Sequence, residues 1–259
     1  MNGFDFRPDF RPLIPVHGFN YDPGSSSTKG TPISGSTNPY LYTFPLWEKL
    51  WGAREAFGLG WYSAPFGPGS YFTALGAGHY FHPLSARYRY AWGLAEKAAA
   101  VLWRVLARIG PCDLMCHSLG ARVVCQALKN ATPDVGRVLI LNGAEYADEA
   151  MKTAKVNPNV EFYNIVVRED DVLKKLGRWA APGASADLVG NPGLGNRATE
   201  NWREFVLDSP ITQAWGLENG FPGLKGDNPE SFGDHWYSFE HRENWALYRA
   251  ILGGVDIPV

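Results

Sequence analysis

The segment most able to do chemistry is Cys116-His117-Ser118-Leu119-Gly120. It stands between a short apolar run and an amphipathic stretch, so a tight strand-to-helix turn is expected there. A serine on such a turn has its hydroxyl lifted above the sheet edge, where it can act as a nucleophile. The bend needs small residues two places before and two places after the serine. Gly120 meets the second need, and Cys116 stands where a glycine is usual. Acyl transfer through such a serine also needs two backbone N–H groups aimed at the developing oxyanion. The Leu119 amide, just after the serine, is one candidate. The other is the Phe19 amide, in Val16-His17-Gly18-Phe19-Asn20, about a hundred residues upstream at the end of another apolar run. His17 itself is expected to shape that loop rather than to react.

The elements around these motifs alternate between strand and helix, which points to a mostly parallel sheet with helices on both faces. Strands are expected at Leu13 to Val16, Gly58 to Ser63, Asp113 to His117, Arg137 to Asn142 and Val160 to Val167, with a weaker one at Arg203 to Leu207. Helical spacing of Leu94, Ala98, Val101, Leu102, Val105 and Ile109 predicts a long helix from about Ala86, closed by Gly110. Helices are also expected at Trp47 to Phe57, Leu119 to Asn130 and Glu243 to Leu252. A six-stranded sheet in one domain over residues 1–259 follows, with loop excursions at about 20–57, 64–85 and 174–234.

With 259 residues, 19% charged residues and a net charge of −2, the chain has the balance of a globular domain and no basic field for nucleic acid or an anionic membrane. No apolar run nears the roughly twenty residues of a membrane-spanning helix, and the start lacks the pattern of a signal peptide. A cytoplasmic location is the default expectation. The three cysteines, Cys112, Cys116 and Cys125, crowd around one motif, which suits reduced core residues better than a disulfide framework or a zinc site. GSSSTKGT around Lys29 lacks the order of a phosphate loop, and the glycine-rich stretch at 190–196 neither follows a good strand nor opens a good helix.

The HGF and HSLG motifs, in this order and spacing, resemble the α/β-hydrolase superfamily. Within it, VHGFN, CHSLGARVV and LILNGAE are similar to a bacterial branch of largely uncharacterised hydrolases. The resemblance runs from about residue 11 to 253. It implies a serine hydrolase with a catalytic triad in the chain order serine, acid, histidine. The acid would follow the strand VEFYNIVV, where Asp170 fits the pattern of an aspartate, one variable residue and Val-Leu. Asp171, and Glu145 after the preceding strand, remain alternatives. His235, in Gly-Asp-His-Trp-Tyr before the last helix, resembles the histidine loop, whereas His241 lies in a charged helix start. His79 and His82 precede the serine and are expected at a rim. Only about twelve residues precede the first strand, too few for the leading antiparallel strands of larger members.

The implied activity is hydrolysis of a carboxylic ester, with Ser118, Asp170 and His235 as triad and no metal or organic cofactor. Thioester, lactone and acyl-transfer chemistry use the same triad, and a fold-sharing binding protein is the non-enzymatic alternative. Aromatic residues make up 14% of the chain. Many lie outside the core strands, among them Trp47, Trp51, Trp179, Trp202 and Trp215. They are either core beneath long loops or the wall of a cleft for a hydrophobic or aromatic ester.

Overall fold

The computed structural model describes residues 11–18, 59, 84–130, 134–177, 187–226, 235, 237–255 and 257. Among them, five strands form one all-parallel sheet in the order β1-β2-β3-β4-β5. The strands are β1 (Leu13–Val16), β2 (Cys112–His117), β3 (Val135–Leu141), β4 (Glu161–Val166) and β5 (Trp202–Val206). Helices α1 (Leu84–Ile109), α2 (Gly120–Ala127) and α3 (Ala147–Val156) lie between successive strands. Helices α4 (Pro210–Glu218), α5 (Tyr237–Glu240) and α6 (Asn244–Leu252) follow β5.

Strands covered on both faces read as continuous apolar runs rather than alternating ones. β1 and β2 are buried at every position. Their side chains sort by parity into two cores. Ile14, Val16, Leu114, Cys116, Val138, Ile140 and Phe162 pack with α1, α2 and α3. Leu13, Met115, Leu139, Leu141, Tyr163 and Ile165 pack with Phe221, Leu224 and α6. The layers are therefore helix, sheet, helix. Along α1 the buried stripe is Ala91, Trp92, Ala95, Ala99, Leu102 and Leu106. The alanines let the helix lie close to the sheet, and each fully buried leucine contributes about 1.5–3 kcal/mol.

The expected strand at Gly58 to Ser63 is described only at Leu59. Leu59 bridges Val16 in parallel, and its N–H donates to the Pro15 carbonyl at 2.9 Å. The Pro12 carbonyl, three residues earlier and so on the opposite flank of β1, accepts from Asp113 of β2 at 2.9 Å. Pro15 thus lacks its N–H on the Leu59 flank, and the β1–β2 ladder stays complete. β1 lies between Leu59, which follows it in the chain, and β2, which comes after the return through α1. The strand order reverses there, and in open parallel sheets the crevice beyond the strand ends at such a reversal is where ligands bind. His17-Gly18 ends β1 at that point, and Ser118 ends β2.

Several expectations need correction. The sheet has five strands among the described residues, with Leu59 the only described residue of the expected sixth. Residues 174–234 are not one excursion. Besides β5 they carry α4, which opens with Pro210 at its first position and closes before Gly220 at φ +86°. Its apolar residues Ile211, Trp215 and Leu217 have no clear helical stripe, which hid it from the pattern. α3 was also unforeseen, because its buried positions Ala147, Ala150, Thr153 and Ala154 are small. The excursion at 20–57, most of 64–85 and the expected helix at Trp47 to Phe57 lie outside the described residues. No helix among the described residues is long and apolar enough to cross a membrane.

Candidate active site

Ser118 adopts φ +53°, a left-handed conformation that costs a non-glycine residue about 1–2 kcal/mol. The backbone around it holds that conformation in place. Its N–H donates to the Leu141 carbonyl at 3.0 Å. Its own carbonyl accepts from Ala121 at 3.0 Å and from Ala144 at 2.8 Å. Strand β3 and helix α2 thus fix the strained residue from both sides. Gly120 is required by close approach: a Cβ there would lie 2.8 Å from the His17 carbonyl oxygen and closer still to that of Val16. This contact seats the start of α2 against the end of β1.

Leu119 is the N-cap of α2, and no side chain caps the helix. Its amide lies between the committed amides of Ser118 and Ala121 and meets no acceptor among the described residues. The partner amide expected from Phe19 lies outside them. Cys116, in the place of the usual glycine, is fully buried in the core beneath α2. Burial pushes its thiol, and those of Cys112 and Cys125, well up, and all three are free and unreactive in character.

Asp170 follows β4 and is fully buried. Its Oδ2 accepts from His235 Nδ1 at 2.6 Å and from Asn142 Nδ2 at 2.8 Å. Its Oδ1 accepts from the Leu173 amide at 2.9 Å and so caps the single turn Val172–Gly177. Of the three acids considered, Asp170 is the one that meets His235. Asp171 is half-buried. Glu145 is buried elsewhere, where it accepts from Arg122 at 2.9 Å and from Gln126 at 3.0 Å. Burial raises the Glu145 carboxyl, and the Arg122 guanidinium opposes that rise. Arg122 also pairs with Glu96 at 2.6 Å and lies over the Trp92 ring.

The carboxylate on Nδ1 of His235 keeps a proton on that nitrogen and directs the lone pair of the neutral ring to Nε2. His235 is held through its main chain as well. His117 Nε2 lies 2.9 Å from the His235 carbonyl oxygen, and the two rings stand 4.7 Å apart. Further along, Asn244 ties both flanks of the histidine segment. It exchanges hydrogen bonds with the Lys225 backbone, at 3.0 Å and 2.8 Å, and donates to the Ser238 carbonyl at 3.3 Å. The Tyr248 hydroxyl donates to that same carbonyl.

Asp170 and His235 are therefore joined directly, and His235 is brought beside the residue that precedes Ser118. No hydrogen bond joins Ser118 Oγ to His235 among the described residues; catalytic contacts of a resting site often tighten only with substrate.

The remaining candidates are placed as follows. His17 is buried, with Nδ1 donating to the Gly18 carbonyl at 2.9 Å, a loop-shaping role. His241 lies in the turn between α5 and α6, 3.8 Å from Glu243. Trp202 stacks on Phe162 at 5.4 Å, at the start of β4 and β5, the end of the sheet opposite Ser118. Trp215 lies between Phe205 and Phe221, at 5.2 Å and 5.8 Å. Trp202 is buried in the core, whereas Trp215 is half-buried against the second core. His79, His82, Lys29, Trp47, Trp51 and Trp179 lie outside the described residues.

Asn142, His117 and Asn244 were not singled out from sequence. The visible trace of Asn142 was a polar residue closing the apolar strand RVLIL. It has φ +45°, a region that asparagine enters more readily than other side chains. Comparison with protein-family models, with curated proteins and with solved structures gives no match.

Proposed function

We propose that the chain is a serine hydrolase of the α/β-hydrolase kind that cleaves a carboxylic ester through an acyl-enzyme on Ser118. The observation that carries this reading is the coincidence of three features on one sheet edge. Ser118 is a strained serine at the end of β2, Asp170 and His235 form a buried pair at 2.6 Å, and the chain reverses its strand order beside them.

His235 Nε2 takes the Ser118 proton as Oγ attacks the carbonyl carbon. The new C–O bond converts the carbonyl to an oxyanion, which the Leu119 amide at the N-terminus of α2 is placed to stabilise, with Phe19 proposed as the second donor. Asp170 holds the Nδ1–H tautomer and stabilises the imidazolium. The imidazolium then protonates the departing alcohol as the ester C–O bond breaks. In the second half, His235 takes a proton from water, hydroxide adds to the acyl carbon, and Ser118 leaves with the proton returned to it. This chain's residues supply every proton transfer.

The test is turnover of p-nitrophenyl esters of increasing acyl length. We expect hydrolysis by the wild type and loss of about 10⁴-fold or more in kcat for Ser118→Ala and for His235→Ala, with the double variant hardly worse. Independent, additive losses would show that the two do not act as one unit. The acyl length at which kcat/KM peaks defines the acyl group. Trp202 is expected to leave that preference unchanged, because it is buried in the core.

A further inference from the structure

We infer that His117 is a positioning residue that ties the base to the nucleophile, by donating from Nε2 to the main-chain carbonyl of His235. This deepens the reading of Ser118 and His235 as nucleophile and base, and rests on it.

His117 is the last residue of β2 and the immediate neighbour of Ser118. It is fully buried, and its Nε2 stands 2.9 Å from the His235 carbonyl oxygen. A carbonyl can only accept, so Nε2 carries the proton. Burial, with His235 alongside, holds the ring well below the usual imidazole range, so it stays neutral. The two rings lie 4.7 Å apart at 50°, in packing contact.

Among the described residues, Asp170 holds the His235 ring through Nδ1, and His117 holds its main chain. A ring held by Asp170 alone keeps its tautomer but can swing about that one bond. The second attachment fixes the direction in which Nε2 points. His117 rides on the strand whose end sets Ser118, and its bond to His235 makes the elbow and the histidine segment one unit. Like the other buried polar residue of β2, Asp113, which accepts from the Arg137 amide at 2.8 Å, the buried His117 side chain has a main-chain partner.

Three substitutions separate the hydrogen bond from mere filling of space. His117→Gln can present an amide N–H near the position of Nε2. His117→Leu fills the space without a donor. His117→Asn keeps the polarity but withdraws the donor toward the position of Nδ1. The readouts are kcat and KM for a p-nitrophenyl ester, and the rate of phosphonylation by a fluorophosphonate, each on protein that melts cooperatively. We expect Gln to stay within about fivefold of wild type, and Leu and Asn to lose on the order of 10–100-fold in kcat and in phosphonylation rate, with KM within about threefold. Where Leu does not melt cooperatively, Asn carries the comparison. Equal rates for Gln and the donor-withdrawn variants, whether all retained or all lost, overturn the inference while leaving the hydrolase reading intact. A folded wild type that neither reacts with the fluorophosphonate nor turns over the ester removes the hydrolase reading, and the inference with it.

Discussion

Asn142 Nδ2 donates to Asp170 Oδ2 at 2.8 Å, the same oxygen that accepts the hydrogen bond of His235 Nδ1. The end of β3 thus orients the carboxylate that holds the His235 ring. Asn142→Gly is the informative change, because glycine accepts φ +45° without strain and removes only the side chain. A hydrogen bond to a charged group contributes about 1.5–3 kcal/mol, so ester turnover should fall roughly tenfold or more in kcat with little change in KM. Steady-state kinetics beside a thermal melt checks this. An unchanged kcat would show that the Leu173 amide and His235 suffice to hold the acid.

Two buried carboxylates invite the same exchange. Asp170→Asn should lower kcat by about 10⁴-fold, because an amide cannot hold the Nδ1–H tautomer in the same way. Glu145→Gln should leave the kcat of the folded protein within a few-fold and instead lower stability by about 1–3 kcal/mol, because it leaves the buried Arg122 with only the exposed Glu96 as charge partner. Kinetics and chemical denaturation, read side by side, separate the two roles. The opposite pattern would make Glu145 the functional acid.

The strain at Ser118 has a measurable consequence. Ser118→Gly and Ser118→Ala both remove the nucleophile, but only glycine relaxes φ +53°. Glycine should melt higher than alanine by about 2–4 °C, corresponding to about 1 kcal/mol in a domain of this size. Equal melting temperatures would mean that the elbow is not strained in solution.

β1 to β4 could be read because each is a short, largely apolar run bounded by turn residues, whereas β5, with Arg203 and Glu204 in its middle, is the weaker expectation. The turn at Ser118 and the position of Asp170 after β4 have local signatures, and the contact of Asp170 with His235 follows from them only through the fold. What could not be read depends on tertiary contact. Nothing in the sequence tells that Asn142 reaches Asp170, that His117 faces the His235 carbonyl, or that Asn244 clamps Lys225 and Ser238. The aromatic residues stayed ambiguous for a related reason: no periodicity at Trp202 or Trp215 distinguishes a core ring from a cleft ring. α4 escaped because its apolar residues are partly exposed, with Ile211 and Leu217 facing outward.

At the far end of β2, Asp113 gives a pH signature unrelated to catalysis. Burial raises its carboxyl from 3.8 to about 6, although the Arg137 amide donates to it at 2.8 Å. The fold holds this proton more tightly than the unfolded chain does, so the group's contribution is most favourable below about 4 and is lost as pH rises toward 6. Asp113→Asn keeps the acceptor for Arg137 and removes the charge. Its melting temperature should match wild type near pH 4 and exceed it at pH 7.5, by roughly 1–3 kcal/mol in stability. A variant less stable than wild type at pH 7.5 would contradict the sign.

The most direct measurement is covalent. Wild-type protein is treated with a fluorophosphonate, digested, and the adduct located by mass spectrometry. The account predicts a single adduct on Ser118, absent in Ser118→Ala and formed at least about a hundredfold more slowly in His235→Ala, since the base must take the Ser118 proton as the P–O bond forms. A cooperatively folded wild type that takes no adduct, or takes it on another residue, would contradict it.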